Sequence, residues 1–413
     1  MTQVRNPRPR VALYGNFGCG NLGNECTLAA AHVGLAGQMP DAEFFAIGAD
    51  PAELSRLHGI EAAAIDQFGR AVRDETGGAA DWLLVRLTKR LFNELREFRR
   101  ARRALRGSNA LLVVGTGILE DDTGALGWFI SLLRWVVVAR VSRCKVAFVS
   151  IGAGPVRPGL PSRLVRLQLR LAHYVSYRDE HGRDWMSRIG VNVNDHAVMP
   201  DLAFALNRPA LPSGTPHDSA GRSVALGVME IESLSHARIT GTTQRRYVAR
   251  LVELVSAIVQ SGERVEIVYG DKAHDLSLAE ELLDRCRRRL GDLPAERLAF
   301  RRAETYQALL DVLVDQDLVI ASRFHNLILG LLLGKPVIAM AYHEQHRDLM
   351  TQFGLDEFVH DLLDFDPKQL TGQAMELLSA SPALEQRIAD RVEEYRRRLN
   401  AQFELLASLC RHS

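Results

Sequence analysis

Residues Leu318–Met340 have the sequence LVIASRFHNLILGLLLGKPVIAM, and this stretch decides the fold class. A short apolar run, Leu318–Ile320, is followed by an apolar segment of helical length, Phe324–Leu333, and then by a second strand-like run, Pro336–Met340. The helical segment closes with a glycine and a proline, residues that are common just beyond the end of a helix. A strand, a helix and a strand in this order predict a βαβ unit with parallel strands.

The same alternation of strand-like runs and helical segments fills most of the chain. The first series of predicted strands is Val11–Tyr14, Glu43–Ile47, Ala110–Val114, Lys145–Ser150 and Tyr174–Ser176. The second series is Ser223–Val228, Arg264–Tyr269, Arg297–Phe300, Leu318–Ile320 and Pro336–Met340. Two such series predict an α/β protein with two Rossmann-like domains, whose parallel sheets face each other across a cleft. Ligands of such sheets bind beyond the carboxyl ends of the strands.

A linker between the two domains is predicted at Asn207–Arg222, NRPALPSGTPHDSAGR, which is rich in Pro, Gly and Ser and lacks an apolar period. The predicted divisions are therefore an N-terminal domain at 1–206, the linker at 207–222 and a C-terminal domain at 223–381. A helical segment follows at 382–413, and we expect its last helix to return to the first domain.

Length and composition limit the function classes. The 413 residues suit two or three domains at roughly 150 residues each. The net charge of +1 argues against a protein that works by non-specific binding to nucleic acid. The five cysteines are scattered and form no CxxC, which predicts neither a disulfide framework nor a zinc site. We therefore expect a cytoplasmic protein. Its longest apolar stretch, Ala125–Val141, is interrupted by arginines and is predicted to be a buried helix.

The most specific candidate site lies at the start of the helix predicted in the opening stretch. Ser322 is the predicted N-cap, so Arg323 and His325 lie at a helix N-terminus and at the carboxyl edge of a parallel sheet. An arginine there has donors that suit a phosphate or carboxylate, and the helix end adds positive potential. Histidine can give or take a proton near neutral pH. The alternative is a histidine satisfied by local backbone groups.

Two glycine-containing loops are the next candidates. Gly15–Asn24, GNFGCGNLGN, joins the first strand to a helix predicted from Glu25, and its glycines allow a ligand to approach the backbone. Gly18, Gly20 and Gly23 also fit GxGxxG, so a dinucleotide site and a turn without a ligand are both alternatives. In Val113–Asp122, VVGTGILEDD, the paired acids Asp121 and Asp122 suggest either acid–base or metal chemistry or a helix N-terminus.

Other polar motifs have plainer explanations. His343, Glu344 and His346 lack the HExxH spacing of a zinc site, and we expect no metal. Arg178–Asp179 and Pro200–Asp201 are predicted caps or turns.

The segment Asp81–Gly107 is predicted to be a helix with leucines on one face and many arginines on the other. That basic face is either simply solvated or a docking surface for anionic lipid head groups or a pyrophosphate-linked acceptor.

Taken in order, these segments resemble the polysaccharide pyruvyl transferase family. The features that carry the resemblance are YGNFGCGNLGNE, VVGTGILEDD, SIGAGPV, VSYRDEHGRDWMSRIGV, MPDLAF and SRFHNLILGLLLGKPVIAMAY, which span nearly the whole chain. The family's Arg-Leu-His motif falls on Arg323, Phe324 and His325, with Phe in place of Leu. Two further departures are Asn24, where the family usually has Asp, and Thr116, which interrupts a more common triple glycine.

The resemblance implies a GT-B-like fold and an enzyme that moves the enolpyruvyl unit of phosphoenolpyruvate onto a sugar as a pyruvate ketal. It implies catalytic roles for Arg323 and His325 and donor binding by Arg323, Ser322 and Asn326. The expected substrate-binding loop residues are Gly18, Gly20, Asn21, Gly23, Gly115, Gly117 and Arg178. No cofactor is expected, and the expected partners are phosphoenolpyruvate and a saccharide acceptor that is free or lipid-linked. The two faces of the segment Asp81–Gly107 separately suggest, beside a purely cytoplasmic location, a peripheral one at the inner membrane surface.

Two alternatives remain at this stage. The first is a GT-B glycosyltransferase that uses a nucleotide sugar, whose phosphates would occupy the same helix N-terminus. The second is a non-catalytic relative that binds a glycan or an anion. The presence of both Arg323 and His325 argues against the second alternative.

Overall fold

The computed structural model of the protein describes residues 8–66, 81–121, 126–209, 221–232, 234, 239–291, 296–379 and 382–411, with only the backbone for 81–91. By their contacts the residues form two compact units. The first comprises Met1–Cys19, Ala31–Asp201 and Asn400–Ser413, and the second comprises Gly20–Ala30 and Leu202–Leu399. The loop Gly15–Asn24 is thus divided between the two units, because Gly20–Asn24 group with the second unit. The central part of the predicted linker, 210–220, lies outside the described residues.

The first sheet is parallel throughout, and its strand order is β3-β2-β1-β4-β5-β6-β7. Its elements in chain order are β1 Arg10–Tyr14, α1 Leu22–Gln38, β2 Glu43–Gly48, α2 Pro51–His58, β3 Glu61–Ala64, α3 Asp81–Ala104, β4 Ala110–Val114, α4 Leu126–Val141, β5 Lys145–Ile151, α5 Leu160–Arg170, β6 Tyr174–Tyr177, α6 Glu180–Arg188 and β7 Ala197–Val198. The strand order reverses between β1 and β4, which is the usual position for a ligand in a doubly wound sheet.

The second sheet repeats this plan with the order β10-β9-β8-β11-β12-β13, again parallel. Its elements are β8 Ser223–Val228, α7 Gly241–Gln260, β9 Arg264–Tyr269, α8 Leu276–Leu290, β10 Leu298–Phe300, α9 Tyr306–Val314, β11 Leu318–Ala321, α10 Phe324–Leu332, β12 Val337–Ala341, α11 Glu344–Gln352, β13 Val359–Asp361, α12 Pro367–Leu378 and α13 Pro382–Arg411. The reversal lies between β8 and β11. The predicted α/β class with two parallel sheets is confirmed.

The opening stretch folds as predicted. The central strands β11 and β12 are buried along their whole length, as continuous apolar runs in parallel sheets are. Gly334 has a φ of 76°. Its amide donates to the carbonyl of Leu331, and that of Lys335 donates to the carbonyl of Gly330, so α10 ends in a Schellman motif.

Two differences from the sequence predictions concern element boundaries. α1 begins at Leu22 instead of Glu25, because the Asn21 side chain accepts the amide of Asn24 and caps the helix three residues earlier. The strands β3, β7 and β13 were not predicted, since they are only two to four residues long. The C-terminal segment is one helix, α13, and Asn400–Ser413 group with the first unit.

The helix α3 also differs from its prediction. Leu95 was assigned to an apolar face, but it is exposed, whereas Glu97 is buried and forms an ion pair with Arg100. The apolar and basic residues are therefore mixed on the outer side of this helix. No helix in the described part of the chain is both long enough and apolar enough to span a bilayer.

Candidate active site in the second unit

The junction of β11 and α10 holds the residues that the sequence singled out. Ser322 is fully buried, and its amide donates to the carbonyl of Gly227 at 3.0 Å, so it continues the strand. The N-cap of α10 is Arg323, with extended backbone and no side-chain cap bond. The prediction that Ser322 caps the helix is therefore wrong, because its backbone is still paired with β8. Arg323 stands directly at the helix N-terminus.

The guanidinium of Arg323 is held by a buried carboxylate. Its Nε lies 2.8 Å and its Nη2 2.5 Å from the two oxygens of Asp275, whose side chain has no exposed surface. Burial by itself lowers the pKa of Arg323, but the hydrogen bonds and charge of Asp275 outweigh burial and raise the pKa. Arg323 is thus a permanent cation in a fixed orientation, and its Nη1 forms no hydrogen bond to any residue that the structure describes.

Asp275 is in turn fixed by backbone groups. Its oxygens accept the amide of Asp271 at 2.9 Å and the amide of Glu230 at 3.0 Å, in addition to both bonds from Arg323. These contacts join the ends of β8 and β9 to the start of α10. Because the carboxylate balances the guanidinium charge, attraction for an anion at this point depends on the direction of Nη1 and on the helix N-terminus.

His325 packs against the first turn of α1. A methyl group on Gly23 would lie 2.3 Å from Nδ1 of His325, so only glycine leaves room for the ring at this position. On the other side of the ring, Nε2 is 3.4 Å from the hydroxyl of Thr27. The imidazole is therefore held between two residues of the segment Gly20–Ala30, which belongs to the same unit.

Hydrogen bonds attach the segment Gly20–Ala30 to the end of β9. The amide of Leu22 donates to the carbonyl of Gly270 at 2.9 Å, and the amide of Lys272 donates to that of Gly20 at the same distance. The side chain of Asn21 donates to Asp271 at 3.2 Å. Gly20 has a φ of 85°, a conformation that favours glycine. Gly20, Asn21 and Gly23 thus position His325 through backbone contacts and close packing.

Asn326 is the next polar residue of α10 and is 1% exposed. Its Nδ2 has no hydrogen-bond partner in the described structure, although buried amide groups are normally paired. It faces two glycines, since added methyl groups on Gly227 and Gly270 would lie within 3 Å of its side-chain amide. This donor lies beside the strand order reversal of the second sheet, the position at which doubly wound sheets bind ligands.

His346 lies buried beneath the start of α10. Its Nε2 is 3.0 Å from the carbonyl oxygen of Ser322, and its Nδ1 is 3.2 Å from that of His343. Carbonyl oxygens only accept, so each contact is a hydrogen bond only when the ring nitrogen concerned carries a proton. Within the described residues no group of three or more His, Cys, Asp or Glu side chains is arranged to hold a metal ion.

The remaining predicted loop residues lie in the first unit. Gly115 and Thr116 after β4 both have left-handed φ angles, 48° and 56°. The carbonyl of Thr116 accepts the amide of Gly152, which ties the loop after β4 to the loop after β5. Gly117 follows next, within reach of the Glu120 side chain. Gly18, with a φ of 72°, packs on the backbone of Asp50 within the first unit.

Arg178 connects three of the sequence motifs of the first unit. Its side chain is 8% exposed and lies 3.7 Å from the carboxylate of Asp201 in MPDLAF. Its guanidinium also packs on Gly152 of SIGAGPV, where a methyl group would lie 2.7 Å from Nη2. Asp179 caps α6 by accepting the amide of Gly182, as predicted for a cap. The predicted pair Asp121 and Asp122 is described only at Asp121, which pairs with Arg157; Asp122 lies outside the described residues.

Sequence reasoning missed Asp275 as a partner of Arg323. The residue follows the predicted strand Arg264–Tyr269 in the segment GDKAHD. Acidic residues just beyond the end of a parallel strand are candidates for a site at that edge of the sheet, and this signal was visible in the sequence. The pairing itself depends on a 48-residue separation that no local pattern reveals.

Known proteins resemble this chain in sequence and in fold. The amylovoran biosynthesis protein AmsJ of Erwinia amylovora is 20% identical over 309 residues, 71% of each chain. The UDP-GlcNAc 2-epimerase of Methanocaldococcus jannaschii has a TM-score of 0.58 at 11% identity, with 91% of this chain and 93% of that chain covered. The enzyme of Neisseria meningitidis, solved with UDP-GlcNAc, has a TM-score of 0.56 at 10% identity, with 92% and 94% covered.

The two structural neighbours share the GT-B fold of two Rossmann-like domains, and at such identities they show the fold alone. The family model described as polysaccharide pyruvyl transferase matches residues 23–344, which include both Gly23 and the Arg323–His325 segment. The chain therefore belongs to the polysaccharide pyruvyl transferase family.

Proposed function

We propose that this enzyme of polysaccharide biosynthesis uses phosphoenolpyruvate as its donor and leaves a pyruvate ketal on two hydroxyls of a saccharide acceptor. The observation that carries the proposal is the pairing of a fixed cation with a packed imidazole at one helix N-terminus. Arg323 is oriented by Asp275, and His325 follows two residues later against Gly23.

Arg323 is suited to hold the donor. Its Nη1 and the N-terminus of α10 offer donors and positive potential to a phosphate or carboxylate, and phosphoenolpyruvate carries both groups. The unsatisfied Nδ2 of Asn326 supplies one further donor nearby. Since Asp275 fixes the guanidinium before the ligand arrives, little side-chain entropy remains to be lost on binding.

His325 is suited to move the proton. A proton from the imidazole to the methylene carbon of the donor creates an oxocarbenium-like centre at the neighbouring carbon. One acceptor hydroxyl attacks that carbon, the bond to the phosphate oxygen breaks, and a second hydroxyl closes the ketal. Of the two hydroxyl protons, one restores the imidazolium and the other leaves with phosphate. Thr27, 3.4 Å from Nε2, helps to orient the ring.

We expect phosphoenolpyruvate to raise the melting temperature of the wild-type protein, because a ligand that binds only the folded state stabilises it. At a hundredfold excess over the dissociation constant the gain is about 2.7 kcal/mol. The measurement is a thermal shift titration with phosphoenolpyruvate, UDP and inorganic phosphate in parallel. Arg323→Lys keeps the charge but loses the two parallel bonds to Asp275, so we expect a weaker response to phosphoenolpyruvate from this variant.

Stabilisation by UDP without any response to phosphoenolpyruvate would contradict the proposal and favour a nucleotide-sugar donor instead. An equal response to phosphate and phosphoenolpyruvate would show that the carboxylate and the methylene carbon are not recognised, which also contradicts it.

A further inference from the structure

An outer helix layer of the first unit combines exposed arginines with exposed apolar side chains. The layer consists of α3, α4 and α5, and α4 lies beside each of the other two helices. Nothing in the proposed transfer reaction uses this surface, because the candidate site described above belongs to the second unit. The layer therefore calls for a separate explanation.

The outer side of α3 carries both kinds of residue on one stripe. Phe92 is 69% and Leu95 49% exposed, unusually high fractions for large apolar side chains. The exposed arginines follow at helical spacing on the same side, and they are Arg96, Arg99, Arg102 and Arg103. Residues three and four apart share one face of a helix, so the two apolar residues and the four arginines form one continuous strip.

The helix α5 repeats this composition. Leu160 is 52% and Leu167 42% exposed, and the exposed arginines Arg163, Arg166 and Arg170 lie on the same side. These three arginines also line a cavity on the surface together with Gly190 and Asn192. Such a cavity has donors for one phosphate-containing head group.

Between the two basic helices, α4 presents apolar side chains. Ile130, Leu133 and Val137 are half-buried, and Val141 at its end is 64% exposed. The arginine in the middle of this helix, Arg134, does not face outward as a free charge, because it pairs with Glu94 and Asp66. The layer thus has an apolar strip flanked by two basic strips.

Carboxylates on this layer are few and already paired. Among the described side chains of the three helices, the acids are Glu94 and Glu97, and each forms an ion pair with an arginine of the layer. The whole chain has a net charge of only +1. The seven exposed arginines of α3 and α5 therefore make this surface much more positive than the protein as a whole.

We propose that the layer of α3, α4 and α5 docks on the surface of an anionic lipid bilayer. Phe92, Leu95, Leu160, Leu167 and Val141 would enter the boundary between head groups and acyl chains. The arginines would reach the lipid phosphates while their stems cover apolar surface. A bilayer fits better than a folded protein partner, because an apolar strip between two basic strips extends over three helices and matches a surface whose anionic head groups lie above acyl chains.

The test is co-sedimentation of the full-length protein with vesicles of phosphatidylcholine alone or with about a third phosphatidylglycerol, at low and high salt. We expect binding to the anionic vesicles only, and weaker binding at high salt. Each cationic side chain near such a surface raises the partition coefficient about fivefold. The double variant Arg99→Glu/Arg103→Glu should therefore bind at least about 25-fold more weakly.

A second variant, Phe92→Ser/Leu95→Ser, removes the apolar contribution and should also weaken binding. The matched control is Arg287→Glu/Arg288→Glu, which reverses two exposed arginines of α8 in the second unit and should bind like wild type. All variants should keep their thermal response to phosphoenolpyruvate, so failure of docking and failure of the donor proposal are distinguishable. The proposal is overturned by equal binding to neutral vesicles, by absence of binding to either kind, or by equal losses in the control and the α3 variants.

Discussion

His325→Ala is expected to lower the rate of phosphate release by about 10²–10⁴, the usual contribution of a general acid or base. The donor affinity should stay close to that of the wild type, since Arg323 and its contact with Asp275 are unchanged. The measurement is steady-state phosphate release together with a direct titration of the donor. A control, His58→Ala, removes a histidine from the last turn of α2 in the first unit and should leave both values unchanged.

Gly23→Ala tests the same histidine without removing it. The added methyl group would lie 2.3 Å from Nδ1, so the ring must move, and turnover should fall while the fold persists. The matched control is Gly37→Ala in the same helix, where a methyl group meets no atom within 4 Å. If His325→Ala and Gly23→Ala both turn over like the wild type, His325 is not the proton carrier.

Arg323→Ala is expected to lower the free energy of unfolding by about 3–5 kcal/mol, because it leaves the carboxylate of Asp275 buried without its cation. This is a large effect for one side chain. A loss of activity in this variant alone would therefore not distinguish unfolding from loss of the donor contact. Unfolding should be followed by circular dichroism, since all four tryptophans fall within the residue ranges of the first unit and would not report on Arg323.

The double variant Arg323→Ala/Asp275→Asn separates a buried charge from general damage. It removes the unpaired carboxylate, so it should be more stable than Arg323→Ala alone. Arg347→Ala is the control, because its ion pair with Glu344 is long and exposed and should contribute at most about 1 kcal/mol. A double variant that is no more stable than Arg323→Ala would contradict the proposed role of Asp275.

The fold could be predicted from sequence because its signals are local. The apolar runs of β11 and β12 and the glycine–proline end of α10 are visible in one stretch, and buried parallel strands require such runs. The short strands β3, β7 and β13 escaped prediction because two to four residues cannot establish a period. The start of α1 was missed because its cap, Asn21, lies between glycines that suggest a loop.

The site was predicted in part. Arg323 and His325 could be placed at a helix N-terminus from local pattern, and the structure has both there. Their partners come from other elements: Asp275 from the start of α8, and Gly23 from the first turn of α1. Such pairings depend on strand order and register, which the sequence pattern does not specify. Ser322 was given the cap role that Arg323 holds, because serine is the better cap by preference but its amide is engaged by Gly227.

The most direct test of the donor assignment is a crystal structure of the protein with phosphoenolpyruvate bound. We predict that the phosphate or the carboxylate lies within hydrogen-bond distance of Nη1 of Arg323 at the N-terminus of α10, with the methylene carbon facing His325. A donor bound elsewhere, with no contact to Arg323 or His325, would contradict the account.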